Sequence, residues 1–225
     1  MASNPIFESG RHGSLGTQIF ELLRDRILNG DYERGDKLNE LSLAKELNIS
    51  RTPIREALKQ LELEGLAESI PNKGVYVKGF SPRDIDDMFE IRIQLESLAI
   101  KLAIERMDDI HFAKIQEVFE LMEFYTMKRD QDKLGELNIL YHEMIYQSTQ
   151  SPYFQELLSD IHYYVSVTSK RALRPIERLD TSLEEHREIL NLIKERDGEG
   201  AINVIKTHIK KTQMLVRKYY ASQKK

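Results

Sequence analysis

The chain has 225 residues, a formal net charge of −4 and no cysteine, which allows two domains with separate cores and excludes disulfides, thiol catalysis and Cys-ligated zinc. The absence of cysteine also fits a cytoplasmic protein, and the mild acidity argues against indiscriminate nucleic-acid binding. No run of about 18 apolar residues exists to span a membrane, and Met1–Pro5 lacks the basic-then-apolar pattern of a secretion signal.

Residues 1–14 read as a flexible tail. Leu15 to Leu28 follows as a helix, its stripe made by Leu15, Ile19, Leu22, Leu23 and Ile27, with Gly30 placed to end it. A turn-rich connection leads to a short helix over Glu40–Leu47, with Leu41, Leu43, Ala44 and Leu47 as its expected buried side. A third helix starts near Ser50–Pro53 and runs to about Glu64. Proline in the first turn needs no amide partner, and Ser50 or Thr52 can cap. Ile54, Ala57, Leu58 and Leu61 face inward, leaving Arg51, Thr52, Arg55 and Lys59 outside. Leu66–Ile70 and Gly74–Val77 read as a hairpin around the basic tip Asn72, Lys73 and Gly74.

Three helices and a hairpin predict a winged helix-turn-helix, whose third helix enters a DNA major groove. Residues 1–80 carry 11 Lys/Arg against 12 Asp/Glu, so the positive charge must be local. Arg51, Arg55 and Lys59 against Glu56 form such an excess. Bidentate arginine contacts to guanine specify sequence, whereas Lys59 and Lys73 would position the backbone.

The ordered pattern Gly30-x-Tyr32-x-x-Gly35-x-x-Leu38, Leu43-Ala44, Ser50-Arg51-Thr52-Pro53-Ile54-Arg55-Glu56-Ala57-Leu58 and Gly74-x-x-Val77 resembles the DNA-binding domain of GntR-family transcriptional regulators. The resemblance implies DNA contacts by Ser50, Arg51, Thr52 and Arg55 and by the wing tip Asn72–Gly74. Leu41 stands where some members carry an arginine, so no contact is carried over there.

Residues 15–78 thus form the expected DNA-binding domain, 79–81 a linker, and 82–225 an all-α bundle for effector binding and dimerisation. Six helices are expected, over about 82–106, 109–128, 131–149, 153–173, 182–196 and 199–222. His12 lies in the tail, His111 near a helix start, and His162 has no spaced partner, so an ordinary structural role is expected for these three. Asn138 and His142 share a face at i, i+4, His186 lies early on the fifth bundle helix, and His208 lies in the apolar register of the last. Three inward imidazoles and one oxygen ligand would suit Zn²⁺ or a neighbouring first-row ion; three separate, hydrogen-bonded core histidines are the alternative.

Arg92-x-x-Leu95-Glu96, Asn138-x-x-Tyr141-His142, His186-x-x-Ile189 and His208 make this region similar to the FCD domain of the FadR subfamily, with six helices suggesting its VanR-like branch. The resemblance implies a divalent ion (Zn²⁺, with Ni²⁺ and Mn²⁺ as alternatives) held by Asn138, His142, His186 and His208. Asparagine replaces the family's aspartate, which removes one negative charge from the ligand set. Arg92 would bind a carboxylate-bearing effector.

The expected function is a homodimeric regulator, a repressor by resemblance, acting on a pseudo-palindromic double-stranded DNA operator and controlled by an organic acid. A metal-dependent hydrolase using the three histidines and a constitutive DNA-binding protein with structural histidines are the rival readings.

Overall fold

The computed structural model describes residues 14–169 and 177–222. The chain divides into two compact units, Met1–Ser81 and Pro82–Lys225. The expected tail with His12 and the expected helix end at 170–173 lie outside the described residues.

In the first unit, α1 (Leu15–Leu28) starts at Ser14, whose hydroxyl accepts the Thr17 amide. It packs on α3 (Arg51–Leu63), and Ile19, Leu23, Ile54, Leu58, Leu61 and Leu66 form the core between them. Gly16 sits at their closest approach: a Cβ there would meet Glu56 Oε2 at 2.6 Å. α2 (Glu40–Glu46) lies against α3. Gly65, at φ 72°, turns the chain out of α3 into β2 (Ala67–Ile70), which pairs antiparallel with β3 (Gly74–Val77). A strand absent from the sequence reading, β1 (Lys37–Leu38), joins the other edge of β3, with Leu38 opposite Val75. Two residues are too few to show strand alternation, so only the tertiary pairing reveals it.

Leu41 is a correction. It is 62% exposed, not part of the buried side of α2. The Asn39 side chain accepts the Leu41 and Ser42 amides and so fixes where the helix begins. In that register Leu43 and Leu47 turn inward together, while Leu41, two residues from Leu43 at about 100° per residue, falls on the opposite side.

The second unit comprises α4 (Pro82–Arg106), α5 (Asp109–Lys128), α6 (Gln131–Ser148), α7 (Pro152–Ser169), α8 (Glu177–Lys194) and α9 (Gly198–Ser222). α4 packs along α6, α7 and α9; α8 contacts α5 and α9. α8 begins five residues before its expected start at 182. Thr181, just before that expected start, donates its hydroxyl to the Arg178 carbonyl inside the helix. No described helix is long and apolar enough to cross a membrane.

Ile54 is fully buried, so Ile54→Ala is expected to cost about 2–5 kcal/mol. Leu41→Ser should change stability by less than about 0.5 kcal/mol. Urea unfolding followed by circular dichroism checks both values.

Candidate functional site

Two sites emerge, one in each unit. On the first, α3 leaves Arg51, Thr52, Arg55 and Lys59 exposed. Ser50 is the backbone N-cap of α3 but makes no side-chain cap hydrogen bond. The sequence reading missed Glu40. The Asn39 cap makes Glu40 the first helical residue of α2, and one oxygen of its carboxylate, Oε2, accepts from Arg51 Nη2 and Arg55 Nε, each at 2.8 Å. The hydrogen bond from Arg51, reinforced by Arg55, holds that carboxyl below the usual range. All three groups touch solvent, so the pairs add only about 0–1 kcal/mol of stability. Their effect is positional: two flexible guanidinium groups share one anchor. Glu40 precedes its partners by 11 and 15 residues, a separation that no helical spacing rule detects. At the hairpin tip, Asn72 adopts φ 62° and Gly74 φ 108°, and Asn72, Lys73 and Gly74 are all exposed.

On the second unit, five helices bring charged and imidazole groups into an apolar interior. His142 (α6), His186 (α8) and His208 (α9) are buried, and one ligating nitrogen from each lies within 4.8 Å of the others. Each ring is oriented through Nδ1. His142 Nδ1 meets Glu96 Oε2 at 3.0 Å, His186 Nδ1 meets the Ser182 carbonyl at 2.6 Å, and His208 Nδ1 meets Glu185 Oε2 at 2.7 Å. These partners accept hydrogen bonds, so each Nδ1 carries the proton and each Nε2 is left with its lone pair. The Nε2 atoms of His142 and His186 are buried without a hydrogen-bond partner. Such an orphan costs about 1–3 kcal/mol. Oriented imidazoles backed by carboxylate or carbonyl acceptors, with one ligating nitrogen of each within 4.8 Å of the others, fit a divalent cation. Asn138 lies one turn before His142 on the same face of α6 and is half-buried.

Arg92 is only 4% exposed and donates through Nε to Glu96 Oε1, while its Nη2 is buried without a partner. Glu96 also accepts from the Tyr146 hydroxyl at 2.7 Å. Burial opposes its charge, but Arg92 and His142 hold it well below the ordinary carboxylate range. Glu96, His142 and His162 also lie within ligating distance of one another. The carboxylate there is already engaged by Arg92, Tyr146 and His142, so that group reads as a hydrogen-bonded network that shares His142 with the three-histidine centre. His162, set aside in the sequence for want of a spaced partner, is fully inside this network, with its ring 4.7 Å from that of His142. Of the other two histidines set aside, His111 is half-buried at the start of α5, where its Nδ1 lies 2.6 Å from the Asp108 cap. Two of the missed supports carried a signal: Glu96 and Tyr146 stand four residues after Arg92 and His142 on their helices.

Two family models cover most of the chain. The model of bacterial regulatory proteins of the gntR family matches residues 15–77, and that of the FCD domain matches residues 87–211. The chain belongs to the GntR family and carries an FCD domain. It is a DNA-binding transcriptional regulator and not an enzyme, which removes the hydrolase reading. Glu185, the acid nearest His208, is accordingly engaged by His208, Arg178 and Lys211. The regulator is 29% identical over 192 residues to an uncharacterized HTH-type transcriptional regulator of Bacillus subtilis (strain 168), covering 85% of this chain and 86% of the relative. It is 25% identical over 216 residues to the gluconate operon transcriptional repressor of Bacillus licheniformis, covering 93% and 88%. Its fold matches that of E. coli McbR/YncC with a TM-score of 0.74 at 24% identity, covering 92% of this chain and 99% of that one.

Two outcomes follow for this regulator. Glu40→Ala frees both arginines and removes a negative charge from the exposed face. It should reduce discrimination between a selected operator and random duplex by about 1–3 kcal/mol while strengthening binding to random duplex, as read by fluorescence anisotropy. In the buried centre, burial lowers the pKa of His142 and His186, and lowers that of His208 to about 4. The unfolded chain therefore binds protons near pH 6.5 that the folded chain refuses. In metal-free protein the stability from these groups is complete above about pH 6.5 and falls as pH drops toward 4. Thermal melts in chelator between pH 7.5 and 5 should show a declining midpoint.

Proposed function

We propose that this GntR-family regulator is a homodimeric repressor of FadR type, in the six-helix VanR-like branch. On this reading its operator affinity is set by an organic acid bound beside a divalent metal ion in the FCD domain. The observation that carries the reading is the trio of Nδ1-anchored imidazoles, with the Nε2 atoms of His142 and His186 buried and unpartnered, next to an arginine whose Nη2 is also buried and unpartnered. His142, His186 and His208 would hold the ion, with the Asn138 carbonyl as the oxygen ligand. Zn²⁺ suits three imidazoles best, with Ni²⁺ or Mn²⁺ as alternatives. All four protein ligands are neutral, so the bound ion keeps its full charge and favours an anion. Arg92 Nη2 supplies the matching donor for a carboxylate. The relative named as a gluconate operon repressor supports both the acid and the repressor sign.

At the other end, Ser50, Arg51, Thr52 and Arg55 would read the major groove, with Asn72, Lys73 and Gly74 placed on the backbone or minor groove. Exposed Leu121, Phe124 and Met127 give α5 an uncovered apolar face that suits a second copy. A two-fold dimer would require a pseudo-palindromic operator. Control is linkage: a repressor is released when its effector binds the DNA-incompetent arrangement more tightly.

Untagged protein should carry about one divalent ion per chain by elemental analysis. Chelation should lower its melting midpoint, and Zn²⁺, Ni²⁺ or Mn²⁺ should restore it. Protein that gains no stability from any of the three ions loses the metal reading. Arg55→Ala should flatten the preference at one half-site base pair in a randomised-operator selection, at a cost of about 1–3 kcal/mol. An unchanged selection profile removes Arg55 from base recognition.

A further inference from the structure

The helix that carries Arg92 and Glu96 has a second face. Its buried side, with Ile85, Phe89, Ile93 and Ile100, packs into the bundle against α6, α7 and α9. The other side is apolar as well. Ile91 is 50% exposed and Leu98 44% exposed, and Met88, Leu95 and Leu102 beside them are half-buried. These residues recur at alternating spacings of three and four. At about 100° per residue they fall within about 80° of one another, in a stripe about 21 Å long. Met88, Leu95 and Leu102 take the a position of a heptad and Ile91 and Leu98 the d position, the pattern of a helix that packs along another helix. Asp84 and Glu105 occupy the next such positions beyond each end, so an apolar contact stops there.

The charges beside the stripe identify its occupant. Asp87, Gln94 and Lys101 share the g position along one flank, and all three are exposed. Asp87 meets Arg83 only at 3.9 Å. The flank runs from acid through a neutral amide to base, so it is its own complement when reversed. A second α4 laid antiparallel across Gln94 sets Asp87 of each copy against Lys101 of the other. In the same register Ile91 meets Leu98 of the second copy, and the two Leu95 side chains meet each other. A parallel pair would instead set Asp87 against Asp87 and Lys101 against Lys101. Opposite charges at flanking positions fix the orientation of paired helices, and like charges in contact are penalised.

We propose that a second copy of this chain docks antiparallel on α4, with the two-fold axis beside Gln94 and Leu95. This deepens the homodimer reading above and rests on it. A two-fold contact requires a patch that complements itself, and the reversed flank meets that requirement. The uncovered α5 face is the competing place for a second copy, and the experiment separates the two.

The chain has no cysteine, so single cysteines introduced into the full-length protein report the geometry without background. Gln94→Cys should form an intermolecular disulfide on mild oxidation, read as a dimer band on a non-reducing gel. Co-expressed Asp87→Cys and Lys101→Cys chains should link to each other through a short bismaleimide, and neither should link to itself. By sedimentation, Asp87→Lys should weaken the dimer at least about tenfold, a difference of about 1.4 kcal/mol, and adding Lys101→Asp should restore it. Ile91→Ser combined with Leu98→Ser should give a monomer with unchanged circular dichroism, since both side chains are exposed. Gln94→Cys gives its readout even where that double variant fails to fold. A dimer in which Gln94→Cys forms no link, or one that survives the folded double variant, overturns this inference and leaves the homodimer standing; loss of that dimer on Phe124→Ser would assign it to α5. Asp87→Cys linking to itself and not to Lys101→Cys overturns the antiparallel orientation. Wild-type protein that sediments as a monomer at micromolar concentration overturns the homodimer reading and this inference with it.

Discussion

A carboxylate taken out of water must be surrounded by donors, and Glu96 governs the FCD domain through that requirement. It accepts from Arg92, Tyr146 and His142, side chains on α4 and α6, and through Tyr146 it reaches His162 on α7. Breaking one partner from a buried ion pair leaves an uncompensated charge, typically at a cost of about 3–5 kcal/mol. The helices therefore cannot slide past one another without losing the network. The same carboxylate fixes a ring orientation: because Glu96 accepts the hydrogen bond from His142 Nδ1–H, Nε2 is left with its lone pair. Glu185 does this for His208 and the Ser182 carbonyl for His186. The polar interior is an arrangement of acceptors that orients three imidazoles, one ligating nitrogen of each lying within 4.8 Å of the others.

The DNA-binding unit repeats the device at the surface with a different consequence. Glu40 gathers Arg51 and Arg55 on one oxygen. Water screens these pairs, so they add little to stability. What they restrict is the freedom of two long, exposed side chains on α3. A buried carboxylate orders a polar interior, whereas an exposed one orders side chains at the surface. The difference lies in how much solvent competes for the hydrogen bonds.

The local layer of the fold was legible in the sequence. The 3.6-residue apolar stripe set α1 at Leu15–Leu28, and the Pro82 and Asp108-Asp109 signals set α4 and the start of α5, because caps, prolines and periodicity act over a few residues. Errors fell where a local signal had two uses. The expected start at 182 falls inside α8, where Thr181 satisfies its hydroxyl on the Arg178 carbonyl, and Leu41 matched an apolar face until the Asn39 cap fixed the register. The two-residue β1 had no local signature, since only its pairing with β3 makes it a strand.

The sequence by itself determined the family, through the Ser50–Leu58 segment and the spaced Arg92, His142, His186 and His208, and it indicated which helix faces turn inward. It could not show what lies opposite those faces. Tertiary structure alone decided that Glu40 holds both exposed arginines, that Glu185 serves His208 and not its neighbour His186, and that His162 joins the network through Tyr146. The reason is physical. Periodicity follows from backbone geometry within one helix, whereas a tautomer or an orphaned lone pair depends on which acceptor or donor another helix places against the ring.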